Sequence, residues 1–209
     1  MDTRARERGL GPQRPQRPLS VVVYNAHFAE RYGAAPLPER NEQCIAAFKS
    51  LPLAASTIFL VQEAGMYLWE IAKRAFTTHK AFYQPTDGRM ALLTLLPLAL
   101  VKEGAYVTMH ELRNSAMARQ FHAVHVRDMV LVNTHLESCA ASRDVRSRQV
   151  DEINAMYGGG EYRRGLFGDL NGYHNHWDSP IPGGTVVHVL EKRTYASISP
   201  HKLLVLSVA

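Results

Sequence analysis

The chain has 209 residues, a length for one domain or two small ones, and its 46% hydrophobic content lets a sizeable core form. Its two cysteines, Cys44 and Cys139, stand in no CxxC pair and in no metal-ligand spacing, and no apolar run reaches the ~18 residues of a membrane span. The net charge of +5 suits an anionic partner, but residues 1–18 hold five Arg against Asp2 and Glu7, so most of the excess sits in one terminal stretch.

Residues 1–18 are rich in Arg, Pro and Gln with almost nothing to bury, which predicts a disordered tail. No apolar leader region follows the first Met, so an intracellular location, nuclear or cytoplasmic, is expected. LSVVVYN (19–25) is short and β-branched, the composition of a buried strand. Glu39–Leu51 carries Cys44, Ala47, Phe48 and Leu51 at helical spacing, with Cys44 expected as a buried free thiol. STIFLVQE (56–63) predicts a second buried strand, and Tyr67–Phe76 a helix with Leu68, Ile71, Ala72 and Ala75 on one face. From Arg89 onward RMALLTLLPLAL and FHAVHVRDMVLVNTH predict adjacent strands, with Arg127-Asp128 as a hairpin turn. Asp144–Tyr157 predicts a helix with Val145, Gln149, Ile153 and Met156 along one stripe, ended by Gly158-Gly159-Gly160. RGLFGDLN, TVVHVLEK and HKLLVLSV complete the strands. Neither a repeat nor an interdomain linker interrupts residues 19–209, which predicts a single α/β domain.

The polar residues fall where the apolar runs stop. Asn25, Glu63 and His135 each end a strand, and Asp169 and Asn171 end GLFGDLN. His201 begins HKLLVLSV, so an antiparallel course of that strand would bring it to the same rim. Mg²⁺ needs only one or two carboxylates, which Glu63 and Asp169 can supply. Phosphoryl transfer then needs charge neutralisation and an oriented nucleophile, roles for a carboxylate, for neutral Asn and for His donors. Taken singly, Glu63 is an ordinary strand end, Asn25 a turn residue, His135 a structural histidine and GDLN a turn. Their ordered occurrence at strand edges is what points to a site.

VYN (23–25), VQE (61–63), THLES (134–138) and GDLN (168–171), in this order, resemble the motifs of the endonuclease/exonuclease/phosphatase superfamily. Within it, MARQFHAVHV, VLVNTHLES and RSRQVDEI are similar to the tyrosyl-DNA phosphodiesterase branch. The resemblance implies a four-layer α/β/β/α sandwich of two mostly antiparallel sheets flanked by helices. It implies Mg²⁺, or Mn²⁺, on Glu63 with Asn25 and Asp169 near it. Asp169 would orient the attacking water, Asn171 would position phosphate, and His135 and His201 would stabilise the transition state. Arg119 falls where the family often has a basic residue before a strand. The expected substrate is a phosphodiester on DNA, such as a 5′-phosphotyrosyl end, handled by a monomer with no membrane contact.

Three departures bear on activity. Ser199-Pro200-His201 stands where the family has Ser-Asp-His, Val187 is matched to an Asp that orients the final histidine, and the segment after Asn171 is short. A generic endonuclease, a phosphatase of small phosphates and a weakened member that binds nucleic acid or protein are therefore carried as alternatives. Trp177, beside His174, Asn175 and His176, can line the groove and stack on a base; the two histidines lack a third metal ligand. Arg143, Arg146, Arg148, Arg163 and Arg164 either track a phosphate backbone or form a solvated face with Asp144, Asp151 and Glu152. His122, His125 and His188 lie in strand runs and read as structural.

Overall fold

LSVVVYN is apolar on both sides of its pleat because both sides are covered. In the computed structural model it forms β1 (Leu19–Asn25), with Val21 and Val23 facing a second sheet and Val22 and Tyr24 facing helices. The structure describes residues 18–26, 38–52, 54–85, 91–138, 143–157, 163–171, 187–194 and 202–208. The remaining elements are α1 (Pro38–Lys49), β2 (Ile58–Ala64), α2 (Met66–Ala75), β3 (His79–Gln84), β4 (Ala91–Pro97), α3 (Leu98–Lys102), β5 (Tyr106–Glu111), β6 (Gln120–Val126), β7 (Met129–His135), α4 (Arg143–Tyr157), β8 (Arg163–Asp169), β9 (Val187–Thr194) and β10 (Lys202–Val208).

Two sheets result, one of six strands in the order β3-β4-β2-β1-β10-β9 and one of four in the order β5-β6-β7-β8. Both are mostly antiparallel; β1 with β2 and β7 with β8 are the parallel pairs. Three apolar layers hold the stack together. Leu19, Val21, Val23, Ile58 and Leu60 of the larger sheet meet Val124, Met129, Leu131 and Phe167 of the smaller one. Cys44, Phe48, Leu68 and Ala72 of α1 and α2 cover the outer face of the larger sheet. Val150, Ile153 and Tyr157 of α4 cover Phe121, Val130 and Val132 of the smaller sheet. The order of layers is helix, sheet, sheet, helix, as the resemblance implies. Burial also pushes the free Cys44 thiol up, so it stays protonated.

Several local expectations change. Ser56, expected to open β2, instead closes a 3₁₀ turn over Ala54–Ser56. LAL does not prolong β4 but opens α3, and β3 and β5 are strands that apolar runs alone do not announce. Met156 is 44% exposed, so the stripe of α4 runs through Gln149 and Ile153 to Tyr157 instead. Arg127-Asp128 is the hairpin turn: Val126 pairs with Met129, and Arg127 takes φ 56°. None of the described helices is long and apolar enough to cross a membrane. The tail, Cys139, the Gly158–Gly160 run, Trp177, Pro200 and His201 lie outside the described residues.

One reading of the sequence is overturned. Leu19 pairs with Val208 and Val208 with Val187, so Val187 stands at the end of the sheet opposite Asn25. β9 runs toward the rim, and Thr194 is the residue that pairs with Lys202 there. Val187 therefore cannot be the position that faces a histidine at the start of β10. The match failed because two antiparallel neighbours have their starts at opposite ends, which strand composition does not reveal.

Candidate active site

Each sheet contributes one parallel pair, and parallel neighbours end together. β1 and β2 therefore bring Asn25 and Glu63 to one edge. β7 and β8 bring His135 opposite Asp169 in register. β10 runs antiparallel to β1, so its first residues lie at that same rim, as the sequence predicts. Open sheets bind ligands outside the carboxyl ends of their strands, and this rim is such a place.

Glu63 is aimed by its backbone. Between Val61 and Ala64, β2 carries one residue more than β4 opposite it, and Glu63 takes φ 51°. That bulge breaks the in-out alternation and turns the carboxylate toward the rim. A non-glycine residue in the left-handed region costs free energy, of order 1–3 kcal/mol, and such outliers concentrate at functional sites. Asp169 is aimed by a turn: its Oδ1 accepts the Asn171 N–H at 3.0 Å, and Asn171 itself has φ 48°. GDLN is thus a turn and a site at once. Gly168 permits it, because at φ 132° a Cβ would fall onto the Thr134 carbonyl oxygen.

The side chains converge. The Asn25 Nδ2 donates to Asp169 Oδ2 at 2.8 Å and to Glu63 Oε1 at 3.3 Å. His135 lies between the same carboxylates, with Nδ1 3.6 Å from Glu63 Oε1 and Nε2 4.0 Å from Asp169 Oδ2. Asn171 gives one amide hydrogen to the Leu136 carbonyl at 2.7 Å, and Leu136 N–H bonds the Asp169 carbonyl at 3.0 Å. Glu63 and Asp169 keep 12% and 17% of their side chains accessible, so the carboxylates face an opening rather than the core. Arg119 is nearly buried just before β6, and its Nη2 donates to Ser138 Oγ at 3.2 Å, three residues beyond His135.

Five of the expected residues, Asn25, Glu63, His135, Asp169 and Asn171, thus share one rim, and Arg119 is tied to the segment that leaves it. The arginine cluster divides. Arg163 makes a two-pronged pair with Asp128, at 3.0 Å through both Nε and Nη2, and Arg146 is buried with Nη1 on the Glu137 carbonyl. Both are engaged within the fold itself.

Beneath the rim lies a polar chain that the sequence does not flag. The Gln62 Nε2 donates to Asn133 Oδ1 at 2.7 Å, and Asn133 Nδ2 donates to Thr94 Oγ1 at 3.2 Å. The Thr94 hydroxyl then reaches His122 Nδ1 at 3.0 Å. All four are buried between the sheets. Gln62 and Asn133 stand one and two residues before Glu63 and His135, so the chain locks together the strands that present them. The signal was present as polar residues inside otherwise apolar strands.

Two close carboxylates and an asparagine are hard oxygen ligands, the set that Mg²⁺ takes together with water. Among the described residues no group of three or more His, Cys, Asp or Glu is arranged to hold a metal. Mg²⁺ does not need one, and the residues fit it.

The arrangement of layers and rim is that of the endonuclease/exonuclease/phosphatase fold. No family model matches this sequence and no curated protein matches it. Solved structures do. Truncated tyrosyl-DNA phosphodiesterase 2 (TDP2) of Caenorhabditis elegans superposes with TM-score 0.56 at 21% identity, over 81% of this chain and 68% of that one. TDP2 of D. rerio, complexed with a single-strand DNA product, gives TM-score 0.61 at 15% identity over 93% and 85%. The human Nocturnin catalytic domain, with a bound sulfate anion, gives 0.65 at 14% over 92% and 94%.

Proposed function

We propose that this chain is a divalent-metal-dependent phosphodiesterase that acts as a monomer on DNA ends, the 5′-phosphotyrosyl end being the leading substrate. The observation that carries the reading is the convergence of Asn25, Glu63, His135, Asp169 and Asn171 on one rim. The likeness to TDP2, one structure of which holds a DNA product, supports the substrate class.

Glu63, with Asn25 and Asp169 beside it, would hold Mg²⁺ or Mn²⁺. When bound, the metal polarises the phosphate and neutralises its charge. Asp169 would orient the attacking water and take its proton, and the hydrogen bonds from the Asn171 N–H and the Asn25 amide to its two oxygens support that role by holding its direction. His135 and the second amide hydrogen of Asn171 donate to non-bridging oxygens as charge grows there. His201 would add a donor from the start of β10, Arg119 a charge for the phosphate, and Trp177 a stacking face for a base.

The test is turnover of a 5′-phosphotyrosyl oligonucleotide with and without Mg²⁺, beside an abasic-site duplex and an inositol phosphate. Release of tyrosine that requires metal and Asp169 is expected. Preference for the duplex or the inositol phosphate would move the reading to an endonuclease or a small-phosphate phosphatase. Binding without turnover of any of the three would leave a nucleic-acid-binding protein.

A further inference from the structure

Helix α4 turns one polar face to two loops. Arg146, Gln149 and Glu152 follow at intervals of three, and each captures backbone. Arg146 Nη1 donates to the Glu137 carbonyl at 3.0 Å, and Gln149 Oε1 accepts the Glu137 N–H at 3.0 Å. The Gln149 Nε2 donates to the Asn114 carbonyl at 3.1 Å, and the Glu152 carboxylate accepts the Arg113 N–H at 3.1 and 3.2 Å. The first loop follows His135; the second leads to Arg119.

The two loops meet on one carboxylate. Glu137 is 3% exposed. Its Oε2 accepts the Ser115 hydroxyl at 2.8 Å and Gln149 Nε2 at 3.2 Å. Ser115 Oγ accepts in turn the Arg119 N–H at 2.8 Å and the Met117 N–H at 3.3 Å. From there Arg119 reaches back to Ser138, the neighbour of Glu137. Burying a carboxylate is costly unless hydrogen bonds compensate it, and two loops packed on a helix do not by themselves require one. A carboxylate accepts hydrogen bonds about twice as strong as a neutral oxygen does, so it holds the Ser115 turn more firmly than an amide would.

We propose that Glu137 is a positioning residue: its buried carboxylate clamps the Ser115 turn to α4 and so fixes Arg119 against the phosphate held at the His135–Asp169 rim. This rests on the phosphodiesterase reading. Glu137 touches no substrate; it acts through Ser115 on Arg119.

A double-mutant cycle on the full chain tests it. Parent, Glu137→Gln, Arg119→Gln and the double variant are assayed for kcat and KM on the 5′-phosphotyrosyl oligonucleotide with Mg²⁺. Binding of a 5′-phosphorylated oligonucleotide and melting temperature are measured beside them. Small misplacements of a binding group cost up to ~100-fold, so Glu137→Gln is expected to lose about tenfold in kcat/KM, chiefly through KM. In the Arg119→Gln background the same change is expected to cost nothing further, in turnover and in binding alike. If Glu137→Gln does not fold, Ser115→Ala, which removes the linking hydroxyl alone, replaces it in the cycle. Equal losses in both backgrounds, or none in either, overturn the clamp while the parent's turnover leaves the phosphodiesterase reading intact. A parent that neither cleaves nor binds overturns that reading and the clamp with it.

Discussion

His122 makes the stability of this fold sensitive to acid. Its ring is fully buried between the sheets, Nδ1 shares a hydrogen bond with the Thr94 hydroxyl, and Nε2 has no hydrogen-bond partner among the described residues. Burial, with a smaller contribution from His110, lowers its pKa from 6.5 to about 3. Below pH 6.5 the unfolded chain binds a proton here and the folded chain does not, so stability falls as pH falls toward 3. Between pH 7.5 and 4.5 the linkage amounts to about 3 kcal/mol for a group of this kind. His79, His110 and His125 are lowered too and add loss in the same direction. His122→Asn isolates the one proton, because its side-chain amide can hydrogen-bond the Thr94 hydroxyl in either direction and cannot be protonated. Urea unfolding of both proteins at half-unit steps from pH 7.5 to 4.5 reads the difference. The variant starts less stable, since a smaller side chain leaves space, but its curve is expected to be flatter, with the gap narrowing by about 2–3 kcal/mol at pH 4.5. Parallel curves would refute the reasoning: His122 would then be protonated in the folded state or hydrated beneath the rim.

Three further predictions concern the rim. Glu63→Gln keeps size and removes the negative charge, so Mg²⁺-linked thermal stabilisation and turnover should both drop; an unchanged Mg²⁺ response in a melting titration removes Glu63 from the metal site. Asp169→Asn should shift the melting temperature little and reduce kcat by ~100-fold or more, since it loses the proton acceptor; single-turnover kinetics showing near-parental chemistry would end that role. Gly168→Ala should destabilise the fold by about 3 kcal/mol or more, measured by chemical denaturation, because φ 132° and the Thr134 carbonyl both exclude a Cβ. A well-folded Gly168→Ala protein would mean that β8 can part from β7 at no cost.

The layers were legible because β1, β2 and β7 are buried on both faces, and a strand covered twice must be a continuous apolar run. The site was legible for a related reason: a polar residue that stops such a run has to stand at an edge. β3 and β5 escaped because their exposed or half-buried residues alternate weakly, and β4 was overrun because LAL is as apolar as the strand before it. Which edge each strand end reaches depends on direction, and direction lies in the pairing. The parallel pairing of β1 with β2 and β7 with β8 gathers Asn25, Glu63, His135 and Asp169, while the antiparallel pairing of β9 with β10 sends Val187 to the far side. The same pairing places the start of the final strand: Thr194 and Lys202 stand opposite each other at the end of the sheet where the other groups converge. Val187, at the other end of β9, therefore cannot orient a group at the start of β10.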